Sequence, residues 1–444
     1  WPAILARLVS AGCSTHILKV AKSYFKRRKV LVQNKMKTFS RYMEKGCPQG
    51  SIIRPAAWIW TMDVVLNKLT ESIPSECGEF VAYADDLACV VKGDTRSEIL
   101  TYSERVIEIL KTWCNSHKLR ISEKKTVAVQ FKGSLDESRL AIKINGKNIK
   151  FVKSVKYLGI IIDNRQNYIE HVKYLRTKII QHVCMIKRIA SERWGIKPKI
   201  QKVLYGAVAL PIIRYGSVLW WEVVYKTTVR RNLFALQRAL LLLMTKSCRT
   251  ASTAAVQVVA GAKLLSLEII EDALIKRLKR NLSTTSERYY YREKEAEQFN
   301  ETVIMEIERI RTYIMDRWQC EWEMETRGRD TYDFIKNVSF AVRNKVWFLP
   351  NRFAVYLITG YGPINSTLNK RGLSDVSNCP ICGEASETRD HILFDCVGYE
   401  NIRWTDMSEY INNRNEMIKN QQNLEKFNMF AKNVSQKRSE ILTE

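Results

Sequence analysis

The apolar pattern of this chain changes period near Asn164, and that switch limits the folds open to it. Before it, short β-type runs alternate with amphipathic helices; after it, helical spacing prevails through Arg280. The β-type runs are Val30-Leu31-Val32, Glu79 to Tyr83, Leu87 to Val91, Thr126 to Phe131, Ile142-Lys143-Ile144 returning past Asn145-Gly146 through Ile149 to Val152, and Tyr157 to Ile162. Between them, Trp58, Met62, Val65, Leu66 and Leu69 share one helical face, with Ser51 as its expected cap. Thr95-Arg96-Ser97-Glu98 is a capping box that opens a second helix, with Ile99, Val106, Leu110 and Trp113 on its apolar face. Beyond Asn164 prolines at 198 and 211 mark expected breaks, 281–345 is charged and helix-prone, and 346–375 is loop-rich. The expectation is an α+β chain whose second part is all-α.

A length of 444 residues implies two or three units. Apolar residues make up 46% and charged residues 27%, and no window reaches the roughly 18 uninterrupted apolar residues of a spanning helix. No membrane partner is expected. Lys and Arg (72) exceed Asp and Glu (46), giving +26, a surplus that suits a polyanion and points to nucleic acid. Eight of the eleven cysteines (Cys13, Cys47, Cys77, Cys89, Cys114, Cys184, Cys248, Cys320) have no regular spacing and read as reduced thiols of an intracellular protein. The chain opens on Trp1-Pro2 rather than Met, which leads us to expect a piece of a longer polyprotein.

Two acids sit where the hairpin Glu79–Val91 turns, in Tyr83-Ala84-Asp85-Asp86. Clustered carboxylates on a rigid support are what two-metal nucleotidyl transfer requires. Adjacent strand residues point to opposite faces, so the turn must reorient one; Asp85 is the expected firm ligand and Asp86 the looser one. A solvated turn is the alternative, because Asp is common in hairpin tips.

The neighbouring motifs decide between them. Phe80-Val81-Ala82-Tyr83-Ala84-Asp85-Asp86 and the preceding Gly46-Cys47-Pro48-Gln49-Gly50-Ser51, with Lys125-Thr126 and Tyr157-Leu158-Gly159 following in order, resemble four successive motifs of reverse transcriptases. The resemblance implies a right-hand polymerase: an antiparallel palm sheet with helices, then a helical thumb in which Tyr205, Pro211, Tyr215-Gly216 and Trp220 match a recurrent pattern. It implies Asp85, Asp86 and Lys125 as catalytic residues, with magnesium on the two acids and pyrophosphate departure assisted by Lys125. Pro48, Gln49, Gly50, Ser51 and Tyr83, with Tyr157, Leu158 and Gly159, are implied to line template, primer and nucleotide. Trp220 reads better as core. Two positions depart from the family: Arg54 replaces a glycine and Ile59 an asparagine. The family's first catalytic aspartate belongs to a motif upstream of Trp1, so the chain alone is expected to be inactive as a polymerase.

Near the C-terminus Cys379, Cys382, His391 and Cys396 spell C-x2-C-x8-H-x4-C, a spacing that delivers four ligands to a tetrahedral zinc. So small a knuckle is expected to have almost no core and to fold on its metal. Arg371, Arg389, Arg403 and Trp404 are candidates to grip a phosphate chain and stack on a base. The knuckle, and the run Cys248-Arg249-Thr250-Ala251-Ser252-Thr253-Ala254-Ala255, resemble the type-1 non-LTR elements that insert into ribosomal RNA genes of insects.

The expected organisation is therefore 1–165, the later part of a palm; 166–280, a thumb; 281–370, a charged helical connector; 371–404, a zinc knuckle; and 405–444, a helical tail. The resemblance implies copying of element RNA from a nicked target DNA primer with deoxynucleoside triphosphates, in the nucleus, by a polyprotein that also carries an endonuclease. Group II intron maturases and telomerase-like polymerases share the palm motifs but not the knuckle. The remaining alternative, to which Arg54 and Ile59 give weight, is a catalytically inactive nucleic-acid-binding protein derived from such an element.

Overall fold

The structure is a computed structural model that describes residues 1–34, 37–43, 46, 50–133, 141–189, 198–280, 282, 303–407 and 413–443. Pro48 and Gln49 lie outside the described residues. The chain divides into two compact units, Trp1–Val155 and Lys156–Glu444.

In the first unit, helices Pro2–Ser10 and Thr15–Phe25 precede an antiparallel hairpin, Lys29–Asn34 with Lys37–Tyr42. Helix Ile53–Ser72 then leads into the hairpin Gly78–Tyr83 and Asp86–Val91, and helix Arg96–Ser116 follows. Met62, Val65, Leu69 and Ile73 pack against Val106, Trp113 and Cys114 of the next helix, and Phe80, Ala82 and Val91 of the hairpin close this core. The Thr95 hydroxyl accepts from the Glu98 amide while the Glu98 carboxylate accepts from the Thr95 amide, so the capping box forms as the sequence predicts. Ser51, in contrast, does not cap its helix. Ile52 occupies the cap position, and the Ser51 hydroxyl bonds the Tyr24 phenol. The run 126–131 keeps only Val127–Ala128 as strand, paired in parallel with Lys150–Phe151.

The strand Ser154–Tyr157, which runs past the division at Val155, and Ile160–Asp163 form a short pair before the helices of the second unit. The sequence reads Tyr157 to Ile162 as one strand, but Leu158 and Gly159 both take left-handed backbone, φ 47° and 86°, and turn the chain back. Glycine adopts this freely, whereas leucine needs outside support, which the Tyr215 hydroxyl supplies by donating to the Leu158 carbonyl at 2.9 Å. Helices follow, the longest being Ile169–Ile189, Thr227–Thr245, Leu265–Leu278, Val303–Met324 and Gln421–Thr443. Pro211 does not break its helix. A π-turn, Tyr205–Ala209, precedes it and runs directly into Leu210–Arg214; widening the hydrogen-bond register accommodates a residue without an N–H.

One apolar core runs through this unit, from Ile160 to Val434. Trp220, Trp221, Trp318 and Trp322 are all buried in it. Val303–Met324, expected as part of a connector, buries Ile310, Ile314, Trp318 and Trp322, and Gln421–Thr443, expected as a tail, buries Phe427 and Phe430. One buried amide, that of Gln237, uses all its polar atoms. Gln237 donates to the Tyr205 hydroxyl and the Lys263 carbonyl and accepts from Gln257 and the Leu265 amide.

His171 is 1% exposed, beneath the Ile160–Asp163 strand, and its Nδ1 accepts from the Ile161 amide at 3.3 Å. Burial lowers its pKa to about 4, and the ring is neutral in the folded chain. The folded value lies below the unfolded one, so this contribution to stability is complete above about pH 6.5 and is lost as pH falls toward 4. In urea titrations the native chain should lose about 1.4 kcal/mol more per pH unit across that window than His171→Asn; parallel pH profiles would refute the buried neutral imidazole.

Candidate active site and metal centre

Tyr83 pairs with Asp86 as the last rung of the first unit's acidic hairpin, leaving Ala84-Asp85 as a two-residue turn. Ala84 has φ 51°, a left-handed conformation that costs an L-residue about 1–2 kcal/mol. The Trp58 indole N–H donates to the Ala84 carbonyl and holds the turn there. Trp58 lies on helix Ile53–Ser72, directly after Gly50-Ser51, so the segment that follows the Gln-Gly motif is hydrogen-bonded to the acidic tip. Asp85 stands in the turn, while Asp86, as the residue opposite Tyr83, shares that side chain's face. Both carboxylates are exposed, and among the described residues neither is engaged by an ion pair or side-chain hydrogen bond. Two free hard-oxygen donors on a rigid tip suit a divalent cation such as magnesium.

The other sequence-predicted residues are placed as follows. Gly50 has φ 83° and Ser51 meets Tyr24. Lys125 lies exposed in the turn Ser122–Thr126 and pairs with neither aspartate. Tyr157, Leu158 and Gly159 form the tight turn of the second unit. Arg54 and Ile59 are exposed on their helix, so neither departure from the family pattern disturbs the core. Sequence reasoning missed Trp58 as a clamp; its signal was an aromatic donor about two helical turns beyond the glycine loop.

In the second unit, ligand atoms of Cys379, Cys382, His391 and Cys396 lie within 4.8 Å of one another. Cys379 Sγ and Cys396 Sγ are 3.8 Å apart, and Cys382 Sγ is 3.4 Å from His391 Nε2. Tetrahedral zinc with bonds of about 2.3 Å sets sulfur atoms about 3.8 Å apart, so the donor set fits the ion in identity and spacing. Burial pushes the Cys379 thiol up to about 12 and raises that of Cys396. For Cys382 burial also acts upward, but the backbone amides of Glu384 and Ala385 bring the thiol below its ordinary value.

The surroundings correct two expectations. The knuckle does not lack a core, because Ile392, Leu393, Cys396 and Tyr399 belong to the same core as the helices. Arg389 and Arg403 are not free to grip phosphate. Arg389 is 8% exposed and bonds Asp333, Asp390 and the Asp330 carbonyl; Arg403 is 5% exposed and donates to the carbonyls of Ile392 and Cys396. Arg371 and Trp404 are exposed.

Residues 1–162 match the family described as reverse transcriptase (RNA-dependent DNA polymerase), and 321–404 match a zinc-binding region of reverse transcriptases. The chain is 32% identical over 364 residues to the Retrovirus-related Pol polyprotein from type-1 retrotransposable element R1 2 of Nasonia vitripennis, covering 81% of this chain and 86% of that protein. A second Nasonia vitripennis Pol polyprotein, from element R1, is 30% identical and is matched over its full length by 77% of this chain. The putative 115 kDa protein in type-1 retrotransposable element R1DM of Drosophila melanogaster is 30% identical over 91% of this chain, which spans 38% of that relative.

Cys382→Ser should lower bound zinc, measured by atomic absorption, to less than about a tenth of the wild-type content while leaving helix Arg96–Ser116 of the first unit folded; full zinc content in the variant would exclude Cys382 as a ligand.

Proposed function

The chain belongs to the reverse transcriptases of type-1 non-LTR retrotransposable elements and carries their zinc-binding region, and on that premise we propose that the tip Ala84-Asp85-Asp86 is its nucleotidyl-transfer centre. The supporting observation is the Trp58 bond to the Ala84 carbonyl, which ties the two free carboxylates to the helix that follows Gly50-Ser51. Divalent cations at Asp85 and Asp86, magnesium by their hardness, would stabilise the attacking and leaving oxygens of an in-line displacement. Asp85 is the firm ligand because the turn frees it from the strand alternation, and Asp86 the second, on the face of Tyr83. Tyr83, Gly50 and Ser51, with Pro48 and Gln49 of the same motif, then bound the nucleotide and template base, and Lys125 serves the departing pyrophosphate. The turn Tyr157-Leu158-Gly159 contacts the primer strand.

The template in this reading is element RNA and the primer a nicked strand of chromosomal DNA, a ribosomal RNA gene by analogy with the elements it resembles. That chemistry is done in the nucleus. The four-ligand cluster binds zinc as a structural ion.

Joined behind the sequence that precedes the corresponding segment in its longer relatives, the chain should extend a DNA primer on an RNA template. Asp85→Asn should reduce that extension about a hundredfold or more, the scale of losing one charge-stabilising group. Equal extension by the variant would remove Asp85 from the chemistry; no extension by either protein, with retained binding, would favour the inactive binder.

Affinity for a primer–template duplex should fall steeply with salt, with a log–log slope of about 0.9 per neutralised phosphate. A flat response would contradict binding along a basic surface.

A further inference from the structure

The zinc-binding segment distributes its charge differently from the rest of the chain. Between Ser374 and Met407 seven carboxylates face two arginines, in a protein with a net charge of +26. Both arginines are buried, so the charges that reach solvent fully are those of Asp375, Glu384, Asp395 and Glu400. A phosphate chain approaching this surface meets charge of its own sign. The segment's cations serve its interior.

Arg403 shows how. Its Nη1 donates to the carbonyl of Ile392, the residue after one ligand, at 3.2 Å, and its Nη2 to the carbonyl of Cys396, another ligand. The Cys396 amide donates to the His391 carbonyl at 2.8 Å and closes the same turn. One planar guanidinium thus spans the half of the cluster that holds His391 and Cys396. A rigid fork is suited to two fixed acceptors in a way that an ammonium is not.

The loop joining the two halves is fastened elsewhere. Glu387, between Cys382 and His391, is fully buried, and its carboxylate accepts from Arg438 Nε at 2.7 Å, Arg438 Nη2 at 3.0 Å and the Asn365 amide at 2.6 Å. Arg438 also donates to the Asn365 side chain. Lys437 donates to the carbonyl of Gly398, two residues past the last ligand, at 2.7 Å. Both cations belong to the C-terminal helix Gln421–Thr443, whose Phe427, Phe430, Ala431 and Val434 are buried in the core. The helix is therefore attached through its charged end to the loops that carry the ligands.

We propose that the zinc centre is a latch: metal in the Cys379, Cys382, His391 and Cys396 site holds the Glu387 and Gly398 loops where Arg438 and Lys437 grip them, and so locks the C-terminal helix onto the core, with Arg403 positioning the His391–Cys396 half. This rests on the zinc reading above. Glu387 and Arg438 bond each other at two points in the interior, so freeing the loop that carries Glu387 unseats Arg438 as well. The segment's function is attachment within the protein, and nucleic acid is bound by other surfaces.

Hydrogen exchange on the full chain, with zinc and after chelation, tests the latch. Removing the metal should speed exchange about tenfold or more in 421–443 as well as in 376–398, leaving helix Leu265–Leu278 protected. Loosening of 376–398 alone would overturn the latch while leaving the zinc site intact; a chain that contains no zinc would overturn the zinc reading itself. The triple variant Glu387→Gln, Arg438→Met and Lys437→Met removes both grips without stranding a buried charge, and should retain zinc while exchange in 421–443 becomes independent of it. Persistent metal dependence in that variant would refute the route through Glu387 and Gly398. Arg403→Lys keeps the charge but not the fork and should weaken zinc retention against a chromophoric chelator about 10–100-fold; unchanged retention would deny Arg403 its positioning role.

Discussion

The indole of Trp58 holds the Ala84 carbonyl, and the candidate chemistry of the first unit depends on that bond. A two-residue turn sets Asp85 free of the strand alternation only if Ala84 takes a backbone conformation that disfavours L-residues by about 1–2 kcal/mol. A hydrogen bond contributes about 0.5–1.5 kcal/mol net, enough to offset most of that cost. Helix Ile53–Ser72 in turn is anchored by Met62, Val65 and Leu69 in the core and by the Arg7 ion pair with Asp63 on its flank. The position of two exposed acids is thus fixed by buried leucine, valine and methionine through one aromatic donor.

The second unit obeys a different constraint, the need to satisfy ionisable groups inside a large apolar core. Glu268 and Glu271 are buried and meet Arg214 and Lys263, while Asp272 meets Ser217 and Lys276. The same pattern recurs at Arg389 with Asp330, Asp333 and Asp390, and at Glu387 with Arg438. The contacts of Arg214 with Glu268, Ser217 with Asp272, Arg389 with Asp330 and Asp333, and Arg438 with Glu387 join segments far apart in sequence, and removing one partner of a buried ion pair leaves an uncompensated charge.

What the sequence disclosed depended on how local each cause was. The acidic hairpin, the capping box at Thr95 and the four zinc-spaced ligands are set by neighbours within a few residues, and all appear where alternation, capping and ligand spacing put them. The turn at Leu158-Gly159 was not legible, because a leucine there is stabilised by Tyr215, 57 residues on. Arg389 and Arg403 look like phosphate-gripping cations in a basic chain, and only their distant or backbone partners show them to be interior groups. Ser51 reads as a cap by type and place, yet Tyr24 takes its hydroxyl.

Charge is also segregated along the chain. From Trp1 through Met43 there is no acidic residue and there are ten lysines and arginines, whereas the segment from Ser374 to Met407 reverses the balance. Both strands of the hairpin Lys29–Asn34 and Lys37–Tyr42 are exposed along their described length, and Lys29 lies over the Tyr42 ring at 4.6 Å. A polyanion is attracted most where cations are neither buried nor countered, and that condition holds along the exposed hairpin Lys29–Asn34 with Lys37–Tyr42 and fails at the zinc centre. A mutation at the zinc centre that weakened nucleic-acid binding would therefore have to act by loosening the C-terminal helix rather than by removing a contact.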